Sequence, residues 1–279
     1  MLMLAGIDIG GTKTRIAVAN NPSDIIADIV IPTPKNQNEA LKIYHENLLE
    51  LANNKKILSL GVAGPAIIDK ESGSIIKPSH IPWSYLPIDS FFKDKLGCLA
   101  TIGNDATLAG IAESRMGAGT KHKLVLYVTI STGIGTAIIL NGEPITQKYN
   151  SEGGRQIIHN HPFPGIQYQK IASGGAIKAK YHKAAAEITN KKDWDEIAKN
   201  ISTGLYNLIT IIQPEVVILG GGVSVHYSHF ITPLRTYLDK FHSLYPIPPI
   251  KKAKYVETAP LIGALLQAES ELTIGHAKG

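Results

Sequence analysis

The chain has 279 residues, 44% hydrophobic and 18% charged, with a mean hydropathy of +0.03. That length predicts two domains, and the balance excludes both a disordered chain and a membrane protein. A formal charge of +5 and a pI near 9.0 suit an anionic small ligand, without the basic stripe that a nucleic-acid binder would carry.

The first apolar stretch is broken by Asp8, Lys13 and Arg15, so it reads as neither a signal peptide nor a spanning helix. No later stretch reaches the roughly 18 apolar residues a membrane helix needs, which predicts a cytoplasmic protein. Leu4 to Ile9 reads as a strand, Gly10-Gly11 as a turn, and Arg15 to Ala19 as a second strand, a hairpin-like opening. From Glu39 to Ala52, Leu41, Tyr44, Leu48 and Leu51 follow helical spacing. Ile57 to Val62 is a strand stopped by Gly64-Pro65, and Cys98, the single cysteine, excludes a disulfide framework and a multi-cysteine zinc site. Leu99 to Ile102 is a short strand, which leads through Asn104-Asp105 into a helix carrying Leu108, Ile111 and Ala112 and ending near Gly117.

The pattern then repeats. Leu124 to Ile130 and Gly135 to Leu140 are β-rich, with Ser131-Thr132-Gly133 turning the chain between them, which predicts a duplicated domain plan. Ser151 to Pro164 is a polar, Gly-, His- and Pro-rich functional loop. A helix over Asp195 to Ile212 carries Ile197, Ile201, Leu205, Leu208 and Ile212 on one stripe and is stopped by Pro214. Glu215 to Leu219 is a buried-type strand running into Gly220-Gly221-Gly222, and Leu261 to Glu271 is the last helix. The expected architecture is two α/β domains flanking a cleft. The first covers 1–114 and is joined by the C-terminal helix 260–279; the second covers 115–259.

Four segments carry chemistry. In Asp8-Ile9-Gly10-Gly11-Thr12-Lys13-Thr14, a carboxylate at a strand end suits Mg²⁺ held through water. The glycines admit backbone N–H groups to phosphate oxygens, and Thr12 and Lys13 add a hydroxyl and a positive charge. A tight turn with a surface lysine is the usual account of a bare Gly-Gly, but the flanking Asp and Thr-Lys-Thr weigh against it. Ser131-Thr132-Gly133 is a second hydroxyl- and glycine-rich turn, and the pair points to a polyphosphate held by Thr132, Gly133 and the first loop. Gly220-Gly221-Gly222 after a buried strand fits close approach of an adenine–ribose group, or simply a strand-to-helix turn. Asp105 at a helix start can take a proton from a substrate hydroxyl, or can be an N-cap.

Together these segments resemble the ROK family of sugar kinases and repressors, within the actin/Hsp70/hexokinase ATPase superfamily, along nearly the whole chain. Asp8 to Thr14 and Ser131 to Gly135 are similar to its two phosphate loops, with Ser131 where glycine is usual. Gly61 to Pro65 is similar to its sugar-side turn, and Asn104-Asp105-Ala106, with Ala109 and Glu113, to its catalytic helix start. Leu219 to Val223 resembles its adenosine segment, Glu152-Gly153-Gly154-Arg155 its Glu-x-Gly-His segment, and Ala172-Ser173-Gly174 the stretch after its zinc loop.

The resemblance implies two actin-like (ribonuclease H-like) α/β domains and an ATP- and Mg²⁺-dependent, glucokinase-like enzyme. In it Asp105 is the general base, and Asn104, Glu152, Gly64 and Pro65 form the sugar side. It implies a homodimer with sugar and nucleotide as small-molecule partners, and no nucleic acid. The chain departs from the family where a histidine and three cysteines would hold zinc. Arg155 stands at the histidine, Ile157 to Gln169 replace the cysteine loop, and Gln169 stands at a sugar-contacting glutamate. No zinc is expected, and Arg155 and Gln169 are expected beside the substrate.

A metal held by His159, His161 and Glu152 is a lesser reading, since four ligands are not in view. Trp83 reads as a packing residue, and Lys251, Lys252 and Lys254 as a solvated basic face. Alternatives are polyphosphate as donor, fructose or N-acetylmannosamine as acceptor, and a sugar-binding protein without turnover. A repressor is disfavoured, because the first phosphate loop begins at Asp8 and no winged helix precedes it.

Overall fold

A computed structural model describes residues 3–69, 74–78, 83, 87–145, 150–159, 164–241 and 246–277. In chain order the strands and helices are β1 (Met3–Ile9), β2 (Lys13–Asn21), β3 (Asp24–Pro32), α1 (Gln37–Ala52), β4 (Ile57–Gly64), β5 (Ala66–Asp69), β6 (Ser74–Pro78), α2 (Ile88–Leu96), β7 (Leu99–Asn104) and α3 (Asp105–Arg115). There follow β8 (Leu124–Ile130), β9 (Ile134–Leu140), β10 (Glu143–Pro144), β11 (Ile157–His159), β12 (Ile166–Gln167), α4 (Gln169–Ala172), α5 (Gly174–Tyr181), α6 (Lys191–Ile212), β13 (Val216–Gly220), α7 (Tyr227–Phe241), β14 (Ile250–Lys252) and α8 (Ala259–Ala277).

The chain divides into two compact units: Met1–Ala112 with Lys148–Asn150 and Thr258–Gly279, and Glu113–Gln147 with Ser151–Glu257. In the first, the sheet runs β3-β2-β1-β4-β7, with β1 antiparallel to β2 and parallel to β4. One face buries Ile7, Ile9, Val62 and Ile102 against Tyr44 and Leu48 of α1 and Phe92 of α2. Alternate residues of the same strands turn to the other face, as the two-residue period of a strand requires. They are small: a Cβ at Gly61 would stand 1.8 Å from the Ala264 carbonyl oxygen of α8, and one at Gly6 about 3.0 Å from Leu261. Gly61 thus serves helix packing, whereas Gly64 ends β4 in register with Asn104 of β7. Trp83 is buried, donates from its indole nitrogen to the Pro34 carbonyl and meets Tyr44 edge-on, so it packs as expected.

The second unit repeats the plan, with the order β10-β9-β8-β13-β14, β8 antiparallel to β9 and parallel to β13. Leu126, Val128 and Ile130 pack against Trp194, Ile197, Ile201, Leu205 and Leu208 of α6 and against Phe230 and Leu234 of α7. The α6 stripe is the one its spacing predicts, but the helix starts earlier, at Lys191, where Asn190 caps it by accepting the Lys192 amide. The polar loop after Ser151 has structure of its own. A 3-10 turn covers Gly153–Arg155, and β11 pairs with β12; 160–163, with His161, lie outside the described residues.

Glu113 is fully buried, and its carboxylate accepts the backbone amides of Ala118, Lys254 and Tyr255 at 2.8, 3.0 and 2.6 Å. The lysine run is solvent-facing at Lys252 and Lys254, as expected, with Lys251 half-buried, and its ammonium groups also find partners. Lys251 Nζ reaches His122, and the Lys252 and Lys254 ammonium groups donate to the Val225 and Met116 carbonyls. No helix among the described residues is long and apolar enough to cross a membrane.

Candidate functional site

In each unit the chemistry-bearing residues gather at the carboxyl ends of parallel strands, where open α/β sheets offer unsatisfied backbone groups and loops free to vary. In the first unit, β1, β4 and β7 run side by side. Asp8 lies beside Ala63 of β4, and Gly64 beside Asn104 of β7. Asp8, Gly64, Pro65, Asn104 and Asp105 therefore share one sheet edge.

The Gly10–Lys13 turn joins β1 to β2. The Gly10 amide donates to the Lys13 carbonyl at 2.9 Å, and a Cβ at Gly10 would lie 2.7 Å from that oxygen. Thr33 braces the turn from outside: its hydroxyl donates to the Gly10 carbonyl at 2.7 Å and its amide to that of Thr12 at 3.0 Å. Behind it the buried Thr14 hydroxyl bonds those of Thr33 and Tyr44. The turn is thus held from its base while Gly11, Thr12 and Lys13 stay exposed. Thr33, the residue after β3, has no signal in the sequence.

The start of α3 divides its labour. Asn104 Oδ1 accepts the Thr107 amide at 3.1 Å and stands 3.3 Å from its hydroxyl, the work of an N-cap. Asp105 Oδ1 accepts the amide of the next residue, Ala106, at 2.7 Å, which fixes the carboxyl's orientation. Burial raises the Asp8 carboxyl to about 7, the nearby charge of Asp105 adds to this, and Arg15 opposes it. A hard cation asks for oxygen ligands of this kind. Mg²⁺ takes one or two carboxylates and completes its shell with water and phosphate oxygens, and the Asp8 carboxyl has the donor chemistry for one of them. Among the described residues no group of three His, Cys, Asp or Glu side chains stands together as a metal site.

In the second unit the β8–β9 turn is closed by the Ser131 amide on the Gly133 carbonyl at 2.9 Å, leaving Ser131 and Thr132 exposed. The start of α5 docks on it: the Gly174 amide donates to Ser131 at 2.7 Å and the Gly175 amide to Thr132 at 3.3 Å. Next door, at the end of β13, three glycines have three reasons. A Cβ at Gly220 would strike the Tyr127 hydroxyl at 2.1 Å, and Gly221 has φ +80°, which favours glycine. Only at Gly222 does the Cβ position open into space. Packing against Tyr127 therefore accounts for Gly220 and the turn for Gly221, and approach of a ligand is left to Gly222.

Glu152 and Arg155 flank the 3-10 turn and form an ion pair at 2.9 Å on the surface, so the arginine carries its own counterion. The turn rests on β9. The Gly153 amide donates to the buried Thr136 hydroxyl at 2.9 Å, and a Cβ at Gly154 would lie 2.1 Å from the Ile134 carbonyl. Gln169 opens α4 and donates to the Gln167 side chain at 3.0 Å.

Residues 4–271 match the ROK family. A protein of Bacillus subtilis (strain 168), provisionally named a fructokinase, is 29% identical over 305 aligned positions, 99% of each chain. The glucokinase of Thermotoga maritima is 24% identical over 273 positions, 84% of this chain and 86% of its own. A ROK family glucokinase from Streptomyces griseus, solved in complex with glucose and AMPPNP, shares the fold with a TM-score of 0.83 at 21% identity, covering 96% of this chain and 99% of that one. The fold is that of the actin-like ATPases, as its sequence implied. Matched along nearly its whole length, the chain belongs to the ROK family.

Proposed function

We propose that the protein is an ATP-dependent sugar kinase that transfers the γ-phosphoryl group to a hexose hydroxyl, with Asp105 as general base. The observation that carries this reading is the start of α3. Asn104 serves the helix there, so capping does not account for the neighbouring carboxylate. Kinase relatives of glucose and fructose support the substrate class.

In this reading an Asp105 oxygen accepts the proton as the sugar oxygen attacks the γ-phosphorus, and ADP leaves. Asn104, Gly64 and Pro65 orient the sugar in the first unit; Glu152, Arg155 and Gln169 do so in the second. In the Gly10–Lys13 turn the exposed Gly11, Thr12 and Lys13 present amides, a hydroxyl and an ammonium to phosphate oxygens, with Gly10 closing the turn behind them. Thr132 and Gly133 present a second such turn, and Gly220, Gly221 and Gly222 shape the adenosine segment. Mg²⁺ near Asp8 would neutralise phosphate charge when bound. The working form is a cytoplasmic homodimer, which sizing chromatography tests.

Glucose is the first acceptor to test. Fructose stands beside it because the relative matched over 99% of the chain is provisionally a fructokinase. The experiment is coupled ADP release with glucose, fructose and N-acetylmannosamine, each with ATP and then with polyphosphate followed by sugar-phosphate detection. Hexose-dependent ADP release is the expected result. A sugar that raises the melting temperature while no phosphorylated product forms from either donor would make the protein a sensor.

A further inference from the structure

Gln156 follows the Glu152–Arg155 turn and spends every polar group it has. Its side-chain nitrogen donates to the Gly153 carbonyl at 2.9 Å and, within α6, to the Gly204 carbonyl at 3.1 Å. Its side-chain oxygen accepts from Asn207 at 3.0 Å. Its backbone carbonyl accepts the Tyr168 amide at 2.9 Å, and its own amide donates to Gly153 at 3.3 Å. Tyr168 completes the joint: it is fully buried, donates its hydroxyl to the Ile201 carbonyl at 2.7 Å, and lays its ring on Gly204. A Cβ at Gly204 would stand 2.4 Å from that ring.

The two arms of this joint end beside the residues proposed to meet the sugar. Arg155 adjoins Gln156, and Gln169 adjoins Tyr168. Among the described residues no hydrogen bond links Glu152 or Arg155 directly to Gln169; Gln156 joins the two sides, its backbone carbonyl to the Tyr168 amide and its carboxamide to Gly204 and Asn207 of α6. A surface turn of three residues has no core of its own, so its geometry is set by what anchors it. Asn207 and Gly204 sit one helical turn apart on α6 and present one donor and one acceptor, which matches the two ends of a single carboxamide. Neither a shorter side chain nor one carrying a charge matches both.

We infer that Gln156 is a positioning residue for the sugar acceptor: it sets the register of Glu152 and Arg155 against Gln169 by stapling their turn to α6. This rests on the sugar-kinase reading. It makes a division that a purely structural role would not make, because the hydrogen bonds of the Gln156 side chain go to Gly153, Gly204 and Asn207 and to neither the β8–β9 turn nor the Gly10–Lys13 turn.

The test is steady-state kinetics of Gln156→Ala and Asn207→Ala, singly and together, with hydrogen–deuterium exchange of the free protein. Gln156→Ala should raise the KM for the sugar on the order of 10-fold, as small misplacements of binding groups do. The KM for ATP should hold, exchange in 151–158 should rise, and Asn207→Ala should add little on the Gln156→Ala background. An unchanged sugar KM in a protein whose 151–158 amides have loosened overturns the inference, as does a KM for ATP that rises equally. Unchanged exchange shows that no staple holds the turn, and also overturns it. If the wild-type protein releases no ADP with any sugar, the sugar-kinase reading fails and the acceptor role falls with it.

Discussion

Asn104 caps the helix that Asp105 begins. The two adjacent side chains, both chemically able to cap, have separate tasks, and they predict separate phenotypes. Asp105→Asn should lower turnover by on the order of 10²–10⁴-fold, the usual size of a general-base contribution, with nucleotide affinity kept. Asn104→Ala should cost about 1 kcal/mol of stability, the loss of a cap, and raise the KM for the sugar it is proposed to orient while leaving the proton-accepting carboxylate in place. Turnover against urea denaturation of the two variants separates them, and near-normal phosphorylation by Asp105→Asn would remove the base assignment.

Asp8 predicts a pH dependence of stability. Its folded value of about 7 lies above the ordinary 3.8, so the folded state holds the proton more tightly. The stabilisation from that proton is full below about 3.8 and is lost as pH rises through about 7. In EDTA, Asp8→Asn should therefore melt above the wild type at pH 8, with the gap narrowing at pH 5, while phosphorylation is lost. A gap that does not change with pH would show that the carboxyl is not raised.

The glycines at the end of β13 should respond differently. Gly221→Ala forces a side chain into the left-handed region at φ +80°, with Thr129 Oγ1 at 2.6 Å, and should cost about 1–2 kcal/mol or more. Gly222→Ala should fold normally and weaken ATP binding, since its Cβ meets no protein atom within 4 Å. Calorimetry of ATP binding and thermal melting of both variants checks the pair.

Cys98 is 3% exposed, and burial pushes its thiol up to about 11. At pH 8 it is a neutral thiol with little access, so a thiol reagent should react slowly with the native protein and fully in urea. Rapid labelling of the native protein would place Cys98 at the surface.

Sequence patterns expose what regular burial writes into them. The α6 stripe, the β8–β9 repeat and the β1–β2 hairpin were legible because their apolar residues recur at the period of the element. β3 left no such trace: it is an edge strand whose Ile25, Ile26, Ile29 and Val30 are all exposed, so its two faces do not alternate. α7 was obscured by Pro233, which usually reads as a helix stop. At the candidate site, the glycine turns and the Asn104-Asp105 pair stood out through residue types that only a few backbone geometries require. Thr33 and Gln156 did not, because an ordinary polar residue becomes a brace only when distant chain supplies its partners.

The bare α carbon of Gly204 has a consequence for how this site can change over time. Tyr168 fills the space a side chain would take, so the base of the 151–169 segment tolerates almost no substitution without moving the ring. Glu152, Arg155 and Gln169 lie at its rim, partly or fully open to solvent. On the proposed sugar-kinase reading, mutational routes to a different sugar therefore run along that rim and not through its root, so a lineage could trade substrates without rebuilding the anchor.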